Sequence, residues 1–226
     1  MRFLVSETPT IQHFMTNNTK ENALFEEGRK LPLMEEFYTI QGEGHNMGTA
    51  AYFIRIGGCD VGCHWCDTKP SWDATHFPPV SSDEIAARAA ATPAKTVVVT
   101  GGEPSMYPLD YFTKLMQSMG VKTMVETSGA HPLTGVWDWI CLSPKKFSPP
   151  KPAIYQKAHE LKVVIEKEAD LKWAERSAAL VRQDCYLYLQ PEWSVAEKIM
   201  PWLTDYVMKN PRWRISLQSH KYMQIP

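Results

Sequence analysis

AYFIRIGGCDVGCHWC, residues 51 to 66, is a strand-length apolar run that passes through two glycines into three cysteines, Cys59, Cys63 and Cys66. Thiols this close on a Gly-containing loop are badly placed to pair as disulfides and well placed to hold a soft metal centre. A structural zinc takes four closed ligands, usually from two separated pairs, and no second pair follows. A [4Fe-4S] cluster held by three cysteines leaves one iron without a protein ligand, open to a small molecule. Zinc alternatives stand beside that reading: His64 lies inside the loop, and Cys141 or Cys185 could fold back as a fourth ligand. His64 is strained as a ligand for the ion its neighbour Cys63 would hold. Cys141 and Cys185 sit in apolar runs and read as core cysteines.

Outward from that stretch, strand-length apolar runs recur: TVVV (96 to 99), KTMVE (122 to 126), WICL (139 to 142), LKVVI (161 to 165), YLYLQ (186 to 190) and RISLQ (214 to 218). Helical periodicity fills the intervals. Ser81 and Glu84 form a capping-box pattern before DEIAARAAA, and LDYFTKLMQSM stops at Gly120. ADLKWAERSAALV and VAEKIMPWLTDYV are further helices, with Pro201 expected to break or kink the last unless a new helix starts there. Strand–helix alternation predicts an α/β fold with a mostly parallel sheet. Several strands end in polar groups: Arg55, Thr100 to Glu103, Glu126 to Ser128, Ser143 to Lys145, Gln190 to Glu192 and Gln218 to His220. In a parallel sheet such ends meet on one face, so one pocket can use them all.

With 226 residues, 44% of them hydrophobic, the chain can bury one substantial core. We expect a single domain over residues 33–226, preceded by a weakly ordered extension over residues 1–32. A net charge of −1 and no long Lys/Arg run give no footprint for nucleic acid or an anionic membrane. No signal-peptide pattern and no membrane-length apolar run occur, so the cytoplasm is the expected compartment.

The run Cys-x3-Cys-x2-Cys with Trp65 before the last cysteine resembles the signature of radical S-adenosylmethionine (radical SAM) enzymes. FYTIQGEG (37 to 44), FIRIGGC (53 to 59), CDT (66 to 68), VVVTGGEP (97 to 104), LSPK (142 to 145), LQPE (189 to 192) and the terminal QSHKYMQIP (218 to 226) resemble the 7-carboxy-7-deazaguanine synthases from about Leu33 onward. That resemblance implies an incomplete (β/α) barrel and a lyase reaction that turns 6-carboxy-5,6,7,8-tetrahydropterin into 7-carboxy-7-deazaguanine, on the route to queuosine. It implies a [4Fe-4S] cluster on Cys59, Cys63 and Cys66, S-adenosylmethionine, and Mg2+ touching Thr68. Contacts to S-adenosylmethionine are implied for Trp65, Cys66, Asp67, Gly102, Ser143, Pro144, Lys145, Gln190, Pro191, Glu192 and Trp193. Substrate contacts are implied for Ile40, Gln41, Gly42, Glu43, Arg55, Thr100 and the terminal carboxylate of Pro226. A homodimer and an electron donor such as flavodoxin are implied as partners.

Residue chemistry agrees at two of these points. Gln41 and Glu43 offer a donor and an acceptor to an aminopyrimidinone edge, and the planar fork of Arg55 suits a carboxylate. The competing role for Arg55 is a strand ion pair, although a purely structural charge four residues before Cys59 would be expensive. Two other functions stay open on the sequence alone: an activase of the same superfamily working on a partner protein, and a zinc-binding domain without catalysis.

Overall fold

The computed structural model describes residues 25 and 27–226. The expected extension over residues 1–32 therefore falls largely outside the described residues. Its last three positions do not belong to it: Lys30, Leu31 and Pro32 open strand β1 (Lys30–Ile40), and Leu31 is buried in the core.

The remaining strands are β2 (Ala50–Ile56), β3 (Pro79–Ser81), β4 (Thr96–Gly101), β5 (Lys122–Thr127), β6 (Trp139–Leu142), β7 (Glu160–Ile165), β8 (Tyr186–Pro191) and β9 (Trp213–Ile215). They form one sheet in the order β3-β1-β2-β4-β5-β6-β7-β8-β9. From β2 to β9 every pair is parallel, while β1 runs antiparallel to both β2 and β3. Among the described residues the end strands β3 and β9 do not pair, so the sheet is open, as an incomplete barrel is.

The period-two alternation of strand side chains sorts this sheet into two faces. Ile54 and Ile56 of β2, Val97 and Val99 of β4, Val125 of β5, Leu142 of β6, Leu161 and Val163 of β7 and Leu189 of β8 share the main core. The covering helices join them there. These are α1 (Ser82–Ala90), α2 (Asp110–Ser118), α4 (Leu171–Ala178) and α5 (Ala196–Lys209); the short α3 (Pro152–Tyr155) adds Ile154 and Tyr155. The alternate positions face the concave side. There Ala51, Phe53, Val98 and Met124 form a smaller apolar floor, with Phe37 stacked on Phe53 at 5.5 Å.

Three local expectations are corrected. Ser81 does cap α1, but through Asp83 N–H at 3.2 Å, one residue before the Glu84 of the expected box. The helix expected to kink or break at Pro201, or to restart there, is continuous through it. The proline forfeits one backbone bond, and Ile199 and Leu203 on either side are buried and hold both turns to the sheet. RISLQ is strand only as far as Ile215. β1 was not anticipated as a strand, because Glu35 and Glu36 interrupt its apolar pattern. Both charges are absorbed by ion pairs, Glu35 with Arg55 and Glu36 with Arg88, each at 2.6 Å.

Candidate active site

The parity that sends Ile54, Val99, Val125 and Val163 outward sends Arg55, Thr100, Glu126 and Lys162 inward. These residues line one cavity of about 390 Å³ at the C-terminal ends of the parallel strands. The loops after β1, β2, β4, β6, β8 and β9 complete its wall. Of the residues implied to contact the cluster, Mg2+, S-adenosylmethionine or the substrate, Pro144 alone does not line it. The structure brings the others together without itself assigning them partners.

The cysteine loop is strapped down at both ends. Gly58 N–H donates to Ser71 O at 2.7 Å, Cys59 N–H to Trp72 O at 3.1 Å and Cys66 N–H to Cys63 O at 3.0 Å. Val61, Ala130 and Trp65 pack around the three thiols. Burial pushes the Cys59 thiol up to about 11 and raises that of Cys63 as well, so metal binding at these sulfurs must displace protons. Among the described residues no three His, Cys, Asp or Glu side chains converge on a point that would suit one ion. Three sheltered thiols on one loop suit a [4Fe-4S] cluster with one open iron better than a four-coordinate zinc. The zinc alternatives fail individually too. His64 is exposed and points to Glu166 at 3.5 Å, while Cys141 and Cys185 are buried away from the cavity that the cysteine loop lines.

Beside the thiols, Gly102 crosses the loop after β2 at close range. A Cβ there would stand 2.1 Å from Gly58 O and 3.0 Å from Cys59 Cβ, so only glycine allows the approach. Its N–H donates to Ile56 O at 2.8 Å. The next residue, Glu103, is almost fully buried and accepts from Ser105 N–H, Ser105 Oγ, Thr127 Oγ1, Ser128 N–H and Ser128 Oγ. That carboxylate ties the end of β4 to the end of β5 and holds the GGEP turn rigid.

Several polar groups fit the parts of S-adenosylmethionine. Lys145 Nζ donates to Ser143 O at 2.7 Å and Ser143 Oγ at 2.6 Å and lies 5.2 Å from the Trp65 ring centre; burial lowers its pKa. Glu192 caps the turn at Trp193 by accepting from Ser194 N–H, and Gln190 Oε1 accepts from Ser216 Oγ at 2.8 Å. An ammonium, a carboxylate and aromatic planes around half-buried thiols match an amino-acid carboxylate, its amine and a purine.

The C-terminal segment closes the other side. Helix α6 (Ser219–Met223) ends at Gln224 in the left-handed region, φ 56°, which turns the last residues back to bring Pro226 to the cavity wall. Ser219 N–H and Oγ both donate to Gly42 O at 2.9 Å, and Gln218 Nε2 donates to Glu43 Oε1 at 2.9 Å. Gly42 is required for this seating, since a Cβ would meet His220 Nδ1 at 2.2 Å. Lys221 bridges to Asp67 at 3.5 Å and lies over Trp193 at 4.7 Å. The tail thus touches both the Gln41–Glu43 loop and the loop that carries Cys66.

Arg55 makes the strand ion pair and also faces the cavity. Its Nε pairs with Glu35 at 2.6 Å, which makes the charge inexpensive, while the residue also lines the cavity. Thr68 Oγ1 donates to Asp67 Oδ1 at 3.2 Å, so an oxygen pair of the kind Mg2+ accepts lies beside the cluster loop.

Sequence reasoning missed Lys162 and did not assign Glu126. Lys162 reads as one more polar residue in LKVVI, yet it is 3% exposed and pairs with Glu43 and with Glu126 Oε2, the latter at 3.3 Å. Burial alone would raise the pKa of Glu43, but the ammonium of Lys162 and the Gln218 amide outweigh it and hold Glu43 at about 2. The available signal was parity: Lys162 is in phase with the inward residues of its neighbours.

Residues 53–159 match the model of the Radical SAM superfamily. The chain is 56% identical over 201 residues to a 7-carboxy-7-deazaguanine synthase of Flavobacterium psychrophilum, covering 89% of this chain and 95% of that one. It is 44% identical to the synthase of the same name from Synechocystis, over 86% of this chain and 93% of the relative. The crystal structure of QueE from Escherichia coli superposes with a TM-score of 0.75 at 29% identity, covering 90% of this chain and all of that one.

Proposed function

The chain belongs to the 7-carboxy-7-deazaguanine synthases of the radical SAM superfamily, and on that premise we propose that it converts 6-carboxy-5,6,7,8-tetrahydropterin to 7-carboxy-7-deazaguanine and ammonia. The observation that carries this reading is the meeting, in one cavity, of three loop cysteines with Gln41, Glu43, Arg55 and Pro226. The first group suits a cluster, and the second suits a flat, carboxylated, amino-edged ring.

Cys59, Cys63 and Cys66 would ligate the cluster, and Lys145, Ser143 and Gly102 would line the seat of S-adenosylmethionine. Cluster and S-adenosylmethionine, when bound, would supply the one-electron chemistry needed at C6 of the substrate. The protein's part is to place that carbon. Arg55 binds the substrate carboxylate through its free fork, Glu43 and the terminal carboxylate of Pro226 accept from the amino edge, and Gly42 lets the tail press close. Thr68 would offer an oxygen to Mg2+, a hard cation that would supply charge for substrate oxygens. Helix α6 over the cavity limits water there.

An activase would have to admit a polypeptide where α6 and the Gln41–Glu43 loop bond to each other, so the small-molecule reading is favoured. A flavodoxin-type donor, a homodimer and a cytoplasmic location complete the proposal. Exposed Tyr38 and Met47 on the β1–β2 hairpin support a second copy, and free thiols support a reducing compartment. Among the described residues no helix is long and apolar enough to cross a membrane. The test is anaerobic turnover of the carboxylated tetrahydropterin with S-adenosylmethionine, a reductant and Mg2+. Formation of 7-carboxy-7-deazaguanine is expected; an intact cluster with no such product would contradict the proposal.

A further inference from the structure

Lys162 is a buried cation that the reaction as derived above does not use. It stands on β7, and its Nζ donates to one carboxylate from the loop after β1, Glu43, and to one from the end of β5, Glu126. Each carboxylate has a second partner: Gln41 Nε2 donates to Glu126 Oε1 at 2.9 Å, and Gln218 Nε2 donates to Glu43 Oε1 at 2.9 Å. The chain Gln41–Glu126–Lys162–Glu43–Gln218 therefore joins the hairpin loop, two strands and the tail, and every member lines the cavity. We propose that Lys162 is the positioning residue of edge recognition, fixing Glu43 and Glu126 as a pair of anions so that the cavity accepts a ring edge carrying N–H donors. This rests on the substrate reading above and deepens it.

Charge balance governs this cluster. Two carboxylates brought to one buried site cannot both stay ionised without a cation between them, and one takes up a proton. Lys162 faces Glu43, Glu126, Glu160 on its own strand and Cys141 on β6. Lys145 lies on the loop after β6 and His220 on α6, and both add positive or titratable charge nearby. Burial holds the Cys141 thiol neutral and raises the pKa of Glu160, yet the carboxylates around Lys162 keep it protonated despite its burial, and its charge keeps Glu43 ionised far below neutral pH. Without it, burial dominates and a carboxylate becomes a hydroxyl donor. A donor turned toward the N–H edge of the ligand repels what the anion attracted.

The experiment is equilibrium binding of the unreactive product, 7-carboxy-7-deazaguanine, to anaerobically reconstituted protein between pH 6 and 9. For the native protein the affinity should be flat over this range. For Lys162→Met it should fall at least tenfold at pH 6, with the deficit shrinking toward pH 9 as the carboxylates lose their shared proton. Lys162→Arg, which keeps the charge, should restore a flat profile. A deficit equal at pH 6 and pH 9 would mark Lys162 as merely structural, and no deficit would remove it from recognition; either overturns the proposal. If the Met variant does not fold, Lys162→Gln is read in the same way. The native profile is a test in itself, since a loss of affinity between pH 7 and 6 would contradict a permanently ionised Glu43. Native protein that binds no product at all would instead count against the substrate reading.

Discussion

The two faces of the same strands obey opposite rules. On the helix side, Ile54, Val99, Val125, Leu161 and Leu189 are wholly buried in the main apolar core. One residue along each strand, Arg55, Thr100, Glu126, Lys162 and Gln190 turn to the concave side, where most are held by hydrogen bonds and ion pairs. The apolar face contributes the burial free energy that holds the sheet, and this frees the polar face from that task. Stability and chemistry are thus separated by a single step in register, and substitutions on the two faces should fail in different ways.

The largest effect should come from the cysteine loop. Cys63→Ala leaves two thiolates and should lose the cluster and all turnover, whereas Cys185→Ala, in the core behind β8, should keep its iron. Iron analysis after anaerobic reconstitution checks this; normal iron in the first or none in the second would show the ligands to be misassigned.

On the helix side, Leu161→Ala should cost about 2–5 kcal/mol of stability, the range for emptying a packed core site. Its kcat/KM per folded molecule should stay near native, because its neighbour Lys162 and not Leu161 faces the cavity. Chemical denaturation and turnover measured on one preparation separate the two. A stable variant with impaired turnover would break the division between the faces.

A C-terminal extension alters the polar side alone. It converts the Pro226 carboxylate to an amide and adds bulk, removing charge-assisted hydrogen bonds worth about 1.5–3 kcal/mol, or roughly ten- to a hundredfold in kcat/KM. An N-terminal tag should be harmless. Equal turnover of the two tagged forms at equal iron content would make the terminus a bystander.

The smallest effect is expected from Thr68→Ala. This should raise the Mg2+ concentration needed for half-maximal turnover while leaving the visible spectrum of the cluster unchanged. An unaltered Mg2+ titration would place the ion elsewhere.

How much of this was legible in the sequence follows the same division. The parallel strands were readable because burial on the helix side writes β-branched and aliphatic residues at alternate positions of TVVV, LKVVI and YLYLQ. The convergence of strand ends followed from parallel topology alone. β1 was hidden because its charges, Glu35 and Glu36, are neutralised by Arg55 and Arg88 from other elements, and a sequence pattern does not display such partners. Lys162 was hidden for the same reason: a lysine in a strand reads as exposed unless the carboxylates that meet it, 119 and 36 residues away, are known. The tail could be connected to the site by resemblance but not by pattern, since its seating depends on the absent Cβ of Gly42 and the left-handed turn at Gln224.

The central claim is that the concave face presents C6 of a carboxylated tetrahydropterin to radical chemistry generated at the cysteine loop. It is tested most directly by anaerobic turnover of substrate carrying deuterium at C6, with mass analysis of both products. The account predicts 7-carboxy-7-deazaguanine together with deuterium in the 5'-deoxyadenosine formed from S-adenosylmethionine. Product formed with no deuterium in the 5'-deoxyadenosine would contradict it.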